Sequence, residues 1–297
     1  MWSRISNLCL LAASLLSAEE RIEAFQTCMG TQFRVTVLAP SHRIREAQQA
    51  IAKAFQRAAE LDAKLSDYRP DSELNRLCRL RTMQVSDDLR RVLAYSQRIA
   101  KETDGAFDIT AGPLIRRWRE ARRTQILPAP VHNTGKLKLN ANNATLTQSD
   151  MQLDLGGIAK GFAAQEMLTL LRTAGFPRAL VAAGGDLAIG EGSWRIEIGT
   201  TGKSESLENC FVSTSGDESQ FVEIGGVRYS HIVDPRTGIG ITNRNPITII
   251  AKEGMEADAL ATALQVRPEL AKRILKKHPG IRILNEPAFK PRPCHQP

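Results

Sequence analysis

The sequence predicts an α+β fold of mixed sheets with helices packed against them. Three observations carry this reading: a half-buried strand pattern runs directly into a long amphipathic helix, strands and helices then recur without regular βαβ alternation, and no internal repeat is present.

Residues 30–38 alternate apolar and polar side chains, the period of a strand with one buried face, and Pro40 closes them. Ile44, Ala47, Ile51, Phe55, Ala58, Leu61 and Leu65 then recur every three or four positions, the apolar stripe of a long helix. Pro70 cannot continue that helix, and Asp71 or Ser72 can cap the next. A helix is expected from Ser86 through Ile99, stopped at Asp104-Gly105. Pro128, Pro130, Asn140, Asn142 and Asn143 predict loop over 126–150, with a short hairpin of 136–139 against 144–147. A strand is expected from Gln152, broken by Gly156-Gly157, then a helix through Leu171 that ends at Gly175. Strands follow at 178–182, 194–198 and 211–213, then a hairpin of 221–224 and 227–233 turning at Gly225-Gly226. A turn at 234–238, a last strand at 247–251 and helices at 256–264 and 269–277 complete the series.

The 297 residues are 42% hydrophobic and 24% charged, which excludes collagen-like, coiled-coil and largely disordered chains. A charge of +8 and a pI near 9.4 favour anionic ligands. The most basic stretch, 116–123, holds one aromatic residue and no nucleic-acid-binding pattern, so it reads as a solvated helix face and no nucleic-acid partner is expected. Arg4, the apolar run from Leu8 to Leu16 and the small pair Ser17-Ala18 read as a signal peptide over 1–18. The domain is then 19–286, with a loosely ordered, proline-rich tail at 287–297. The expected location is extracytoplasmic, in the periplasm or at the inner membrane; the apolar run is too short to span a bilayer, so any membrane association is not integral. Beyond Cys9, the chain keeps Cys28, Cys78, Cys210 and Cys294, with no CxxC pair and no metal-ligand spacing.

Four segments can carry chemistry. In Leu153-Asp154-Leu155-Gly156-Gly157-Ile158-Ala159-Lys160-Gly161, a glycine pair opening a helix offers backbone N–H groups to a phosphate, and Lys160 can reach the same anion. Ala183-Gly184-Gly185-Asp186 reads first as a strand-end turn. His231 stands at a strand end before the turn Asp234-Pro235-Arg236-Thr237-Gly238, a reasonable place for a general base, although a lone histidine is more often structural. Asp258 and Thr262 lie four apart on one helical face and are oxygen donors suited to magnesium; two oxygens alone do not complete its coordination.

Taken in order, these segments resemble the FAD:protein FMN transferase (ApbE) family, together with Met29-Gly30-Thr31, Tyr68-Arg69-Pro70-Asp71-Ser72-Glu73, Thr103-Asp104-Gly105-Ala106-Phe107-Asp108 and Ser213-Thr214-Ser215-Gly216. The resemblance spans residues 29–262 and implies a T-fold-related α+β arrangement with an FAD cleft between the sheets and helices. It implies FAD contacts from Met29, Tyr68, Ala106, Phe107, Asp108, Asp154, Lys160 and Ile232, and magnesium held by Asp258, Thr262 and backbone carbonyls near Gly157 and Ala261. The implied reaction transfers FMN from FAD to a Thr or Ser hydroxyl of a target flavoprotein, releasing AMP, with His231 first to assist deprotonation and Asp258 or Asp234 behind it. Residue types alone leave open an FAD pyrophosphatase yielding FMN and AMP, and a non-catalytic flavin-binding protein.

Overall fold

A two-residue turn at Met29-Gly30 folds β1 (Glu19–Cys28) antiparallel onto β2 (Thr31–Pro40) over ten paired residues. Both turn residues have positive φ, 49° and 73°, the geometry whose twist matches a tight hairpin. β1 escapes sequence reading because Glu19, Glu20, Arg21 and Glu23 give it little strand propensity. Pairing to β2 makes it a strand. The computed structural model describes residues 19–132, 135–141, 143–198, 203–216 and 220–284; the expected signal segment and the tail lie outside the described residues.

The remaining elements are α1 (Ile44–Leu65), α2 (Glu73–Leu80), β3 (Thr82–Gln84), α3 (Asp87–Glu102), α4 (Gly112–Thr124), β4 (Leu137–Leu139), β5 (Asn143–Leu146) and α5 (Ala159–Thr173). Then come β6 (Ala179–Ala183), β7 (Asp186–Ile189), β8 (Trp194–Ile198), β9 (Lys203–Leu207), β10 (Cys210–Ser215), β11 (Phe221–Ile224) and β12 (Val227–Ser230). The chain continues through β13 (Val233–Asp234), β14 (Ile239–Gly240), β15 (Ile247–Ala251), α6 (Gly254–Val266), α7 (Ala271–Lys277) and β16 (Arg282–Leu284). Ser72 and Ser86 cap α2 and α3, accepting from Asn75 N at 3.0 Å and Leu89 N at 3.4 Å.

The main sheet has the order β1-β2-β6-β7-β10-β15-β16 with every neighbouring pair antiparallel. One face, including Val35, Val37, Val181, Ala188 and Ile249, packs on α1, α5 and α6. Phe162, Met167, Leu168 and Leu171 of α5 are fully buried there, each contributing roughly 1.5–3 kcal/mol. The opposite face, with Leu180, Ile189, Val212 and Ile250, is covered by Trp194, Ile196 and Leu207 of the β8–β9 hairpin. A separate cluster joins Leu114, Trp118 and Ala121 of α4 to Val233, with Tyr229 edge-on to Trp118. These layers bear out the α+β expectation.

Two boundaries are corrected. Residues 151–155 form no strand: Met151, Leu153 and Leu155 do alternate inward, but they pack against the core as extended chain outside any ladder. The predicted strand 227–233 is interrupted at His231, where pairing passes from β11 with β12 to β14 with β13 and the Ser230 carbonyl accepts from Trp118 Nε1 at 2.9 Å. Strand β16 follows the expected last strand and pairs with it. Cys28, Cys78 and Cys210 are buried free thiols, while Cys294 lies outside the described residues.

A charge network ties α1, α3 and α5: Arg57 reaches both Asp88 and Glu166, at 2.5 and 2.7 Å, and Lys64 reaches Asp88 at 2.6 Å. Hydrogen bonding to Arg57 holds the Asp88 carboxyl down to about 2, against burial and with help from Lys64. A depressed carboxyl stabilises the fold above its unfolded value and loses that contribution as the pH falls through the folded one. Asp88→Asn is therefore expected to lower the melting temperature by roughly 2–4 °C at pH 7. The difference shrinks toward zero in thermal scans carried down to about pH 2.

Candidate active site

The glycine turns gather at one end of the main sheet. Gly184-Gly185 joins β6 to β7, with Ala183 paired to Asp186, and Gly184 adopts a φ of 69° against the Thr31 side chain that follows the Met29-Gly30 turn. Asp186 opens β7 opposite Ser213 of β10, and Ser215 ends β10 within 3.4 Å of the Thr262 hydroxyl on α6. Thus Met29, Asp186 and Ser215 share a sheet end through pairing alone.

Helix α5 begins there and crosses α6 at two glycines. A Cβ on Gly161 would lie inside contact distance of the Gly254 carbonyl and 2.8 Å from Asp258 Cβ; a Cβ on Gly254 would meet the Gly161 carbonyl in turn. This close crossing lets the Gly161 N–H donate to Asp258 Oδ2 at 3.0 Å. Gly157 is held equally tightly, since a Cβ would fall 2.8 Å from Thr262 Oγ1 and 3.3 Å from the Phe107 ring. Gly157, Asp258 and Thr262 are thereby brought together, with Ala261 buried between the last two.

Lys160 Nζ lies 3.2 Å from Asp186 Oδ2, 3.9 Å from Asp258 Oδ2 and 3.2 Å from the Gly156 carbonyl oxygen. Burial alone would lower its pKa, but Asp186 and Asp258 outweigh this and hold the ammonium charged. Burial, then Asp186, pushes the Asp258 carboxyl above its usual range, with Lys160 opposing. The two acids lie only 3% and 2% exposed, so this buried pair demands positive charge beside it. Among the described residues no three His, Cys, Asp or Glu side chains cluster as metal ligands. A cation here would rely on carboxylate, the Thr262 hydroxyl and backbone carbonyls, an all-oxygen set that suits magnesium.

A second cluster forms where α4 meets the loop after α1. Arg119 donates to Asp67 Oδ2 at 2.7 Å and Asp154 Oδ2 at 2.8 Å, and its guanidinium carbon stands 4.5 Å from the centre of the Tyr68 ring. Asp154 Oδ1 accepts from Gly156 N at 2.8 Å. Burial and the neighbouring Asp67 raise the Asp154 carboxyl, while Arg119 opposes them. Sequence reasoning missed Arg119 and Asp67 and treated Asp186 only as part of a turn. The basic stretch is not wholly a solvated face, for Trp118 is buried and Arg119 is drawn into these ion pairs. Its one sequence signal was the position beside Trp118, next to the apolar stripe of α4.

Of the other expected contacts, Ala106 and Phe107 are buried, and Asp108 Oδ1 accepts from the Thr110 backbone N–H and hydroxyl. His231 follows β12, with ring Nδ1 3.2 Å from the Gln220 carbonyl oxygen. A carbonyl only accepts, so Nδ1 carries a proton in this contact. Ile232 is half-buried, its N–H donating to Ser230 Oγ.

A half-buried lysine between two buried acids, at the start of a helix packed on an antiparallel sheet, marks the site, and the matching family model, the ApbE family, covers residues 29–284. The chain belongs to that family. It is 33% identical over 283 residues to the FAD:protein FMN transferase of Klebsiella pneumoniae, covering 84% of this chain and 79% of the relative. The Escherichia coli protein of the same name is 31% identical over 280 residues, with the same coverage. The crystal structure of the Pseudomonas stutzeri flavinyl transferase ApbE, apo form, superposes with a TM-score of 0.74 at 27% identity, covering 89% of this chain and 90% of that one. The flavin transferase ApbE from Vibrio cholerae gives 0.71 at 26%, covering 92% and 99%.

Proposed function

We propose that this chain moves the FMN half of FAD onto a threonine or serine hydroxyl of a target flavoprotein, releasing AMP. The observation that carries this reading is the Lys160, Asp186 and Asp258 cluster at the start of α5, beside Gly157 and Thr262, in a chain whose relatives bear the name FAD:protein FMN transferase. In the reaction the acceptor oxygen attacks the phosphorus of the FMN half. A new P–O ester bond forms, the bond from that phosphorus to the bridging oxygen breaks, and AMP leaves with that oxygen.

Asp258, Thr262 and the carbonyls of Gly157 and Ala261 would hold magnesium, which when bound supplies positive charge to the pyrophosphate oxygens. The chain's own contributions are separable. The Lys160 ammonium, at the start of α5, binds phosphate oxygens. His231 Nε2 takes the hydroxyl proton. Met29, Tyr68, Ala106, Phe107, Asp108, Asp154 and Ile232 shape the rest of the FAD cleft. An extracytoplasmic site of action is part of the proposal, supported by the signal-like pattern of residues 1–18. No helix among the described residues is long and apolar enough to cross a membrane.

The test follows FAD, FMN and AMP by chromatography with and without a candidate acceptor, in magnesium or in chelator. The expected result is AMP formation that requires both acceptor and magnesium. Equal amounts of AMP and free FMN without acceptor would replace transfer by hydrolysis, and intact FAD throughout would return the chain to flavin binding alone.

A further inference from the structure

Arg119 is the point where three parts of the fold meet. Its fork joins Asp67, in the loop that ends α1, to Asp154, in the extended segment before α5, and its guanidinium carbon stands over the Tyr68 ring, 4.5 Å from the centre. The backbone beneath Tyr68 is already fixed, because Asn75 Nδ2 donates to the carbonyls of Asp67 at 2.9 Å and Arg69 at 2.8 Å. Tyr68 is nevertheless 74% exposed, so the other face of the ring is open to a ligand. A cavity of about 330 Å³ opens beside it, between this loop and residues 149–152, at the small end of the range for ligand pockets.

We propose that Arg119 is a positioning residue: it fixes Tyr68 as a stacking platform for one of the aromatic rings of FAD and keeps Asp154 turned toward Gly156. The inference rests on the FAD-dependent reading above. A planar fork suits this place, because one group must bridge two carboxylates and also present a flat face to a ring; an ammonium can reach two carboxylates but has no flat face to stack. Without it, two largely buried carboxylates would face each other and the ring would lose its support. The group acts through Tyr68 and Asp154 and moves no bond in the reaction itself.

The test is equilibrium FAD binding, read by quenching of flavin fluorescence, with thermal unfolding recorded for each variant. Arg119→Met is expected to weaken FAD binding at least about tenfold and to remove most of the quench. Its KM for FAD rises while kcat at saturating FAD stays within a few fold. Arg119→Lys recovers little of the loss. On the Arg119→Met background, Tyr68→Ala adds little to the loss, whereas alone it costs nearly as much as Arg119→Met. Competition by AMP or by FMN, lost selectively in the variants, identifies which ring stacks. Where the methionine variant unfolds, Arg119→Gln, which keeps one donor, takes its place.

Wild-type affinity in a folded Arg119 variant, or additive losses from the two substitutions, would overturn the inference. Failure of the unaltered chain to bind FAD would instead remove the functional reading beneath it, and is seen before any variant is made.

Discussion

Replacing Asp258 by asparagine is expected to cut FMN transfer by about 10²–10³-fold while the protein stays folded and melts no lower than the parent in chelator. The two halves of this result have one cause. Asp258 is 2% exposed and faces Asp186, and burial with that neighbour raises its carboxyl above the ordinary range. The folded chain thus binds this proton more tightly than the unfolded chain, and the group's contribution to stability falls as the pH rises above the ordinary carboxylate value. Asparagine removes that penalty and still accepts the Gly161 N–H, so metal-free stability at pH 8 is kept or raised. It also removes the charge that would hold a cation. Magnesium is accordingly expected to raise the melting temperature of the parent by a few degrees and leave Asp258→Asn unmoved, as measured by calorimetry with and without chelator. A loss of transfer with an unchanged magnesium response would place the metal elsewhere.

Gly161→Ala provides the second large effect, and its sign is the informative part. Helix propensity alone makes alanine better than glycine by about 0.5–1 kcal/mol in a helix interior. Here the new methyl group would meet a backbone carbonyl, that of Gly254, and Asp258 Cβ at 2.8 Å. Backbone cannot turn aside as a side chain can, so α5 and α6 must separate, at a cost of about 1–3 kcal/mol from overpacking. Separation also carries Asp258 and Thr262 away from Gly157 and Lys160, and displacements of this order in a site cost about 100-fold in rate. Lower stability together with lost transfer is therefore expected. Gly280→Ala is the control, since its Cβ would meet nothing within 4 Å, and it should leave both properties unchanged.

The parts legible in the sequence were those encoded locally. The α2 cap was narrowed to Asp71 or Ser72, Ser86 announced the start of α3, Asp258 and Thr262 their common helical face, and Gly156-Gly157 the start of α5. Properties created by pairing were hidden. β1 is a strand because β2 lies beside it, and residues 151–155 have a strand's alternation without a strand's partners. The same limit governed the site. Asp186 acquires its role from Lys160, 26 positions earlier in the chain, and Arg119 from Asp67 and Asp154, which lie 52 and 35 positions away. A basic run shows no sign in its own letters of which arginine turns inward. Ordered motifs carried the family resemblance across that gap.

On this reading a protein hydroxyl, not water, receives the FMN. Mass spectrometry of an acceptor peptide after incubation with the chain, FAD and magnesium tests it most directly. The expected product is a peptide carrying FMN in phosphodiester linkage on its threonine or serine, with one AMP released per modified peptide and no modification once that hydroxyl is replaced by alanine. An unmodified peptide alongside free FMN and AMP, across acceptors that the Klebsiella relative does modify, would contradict it.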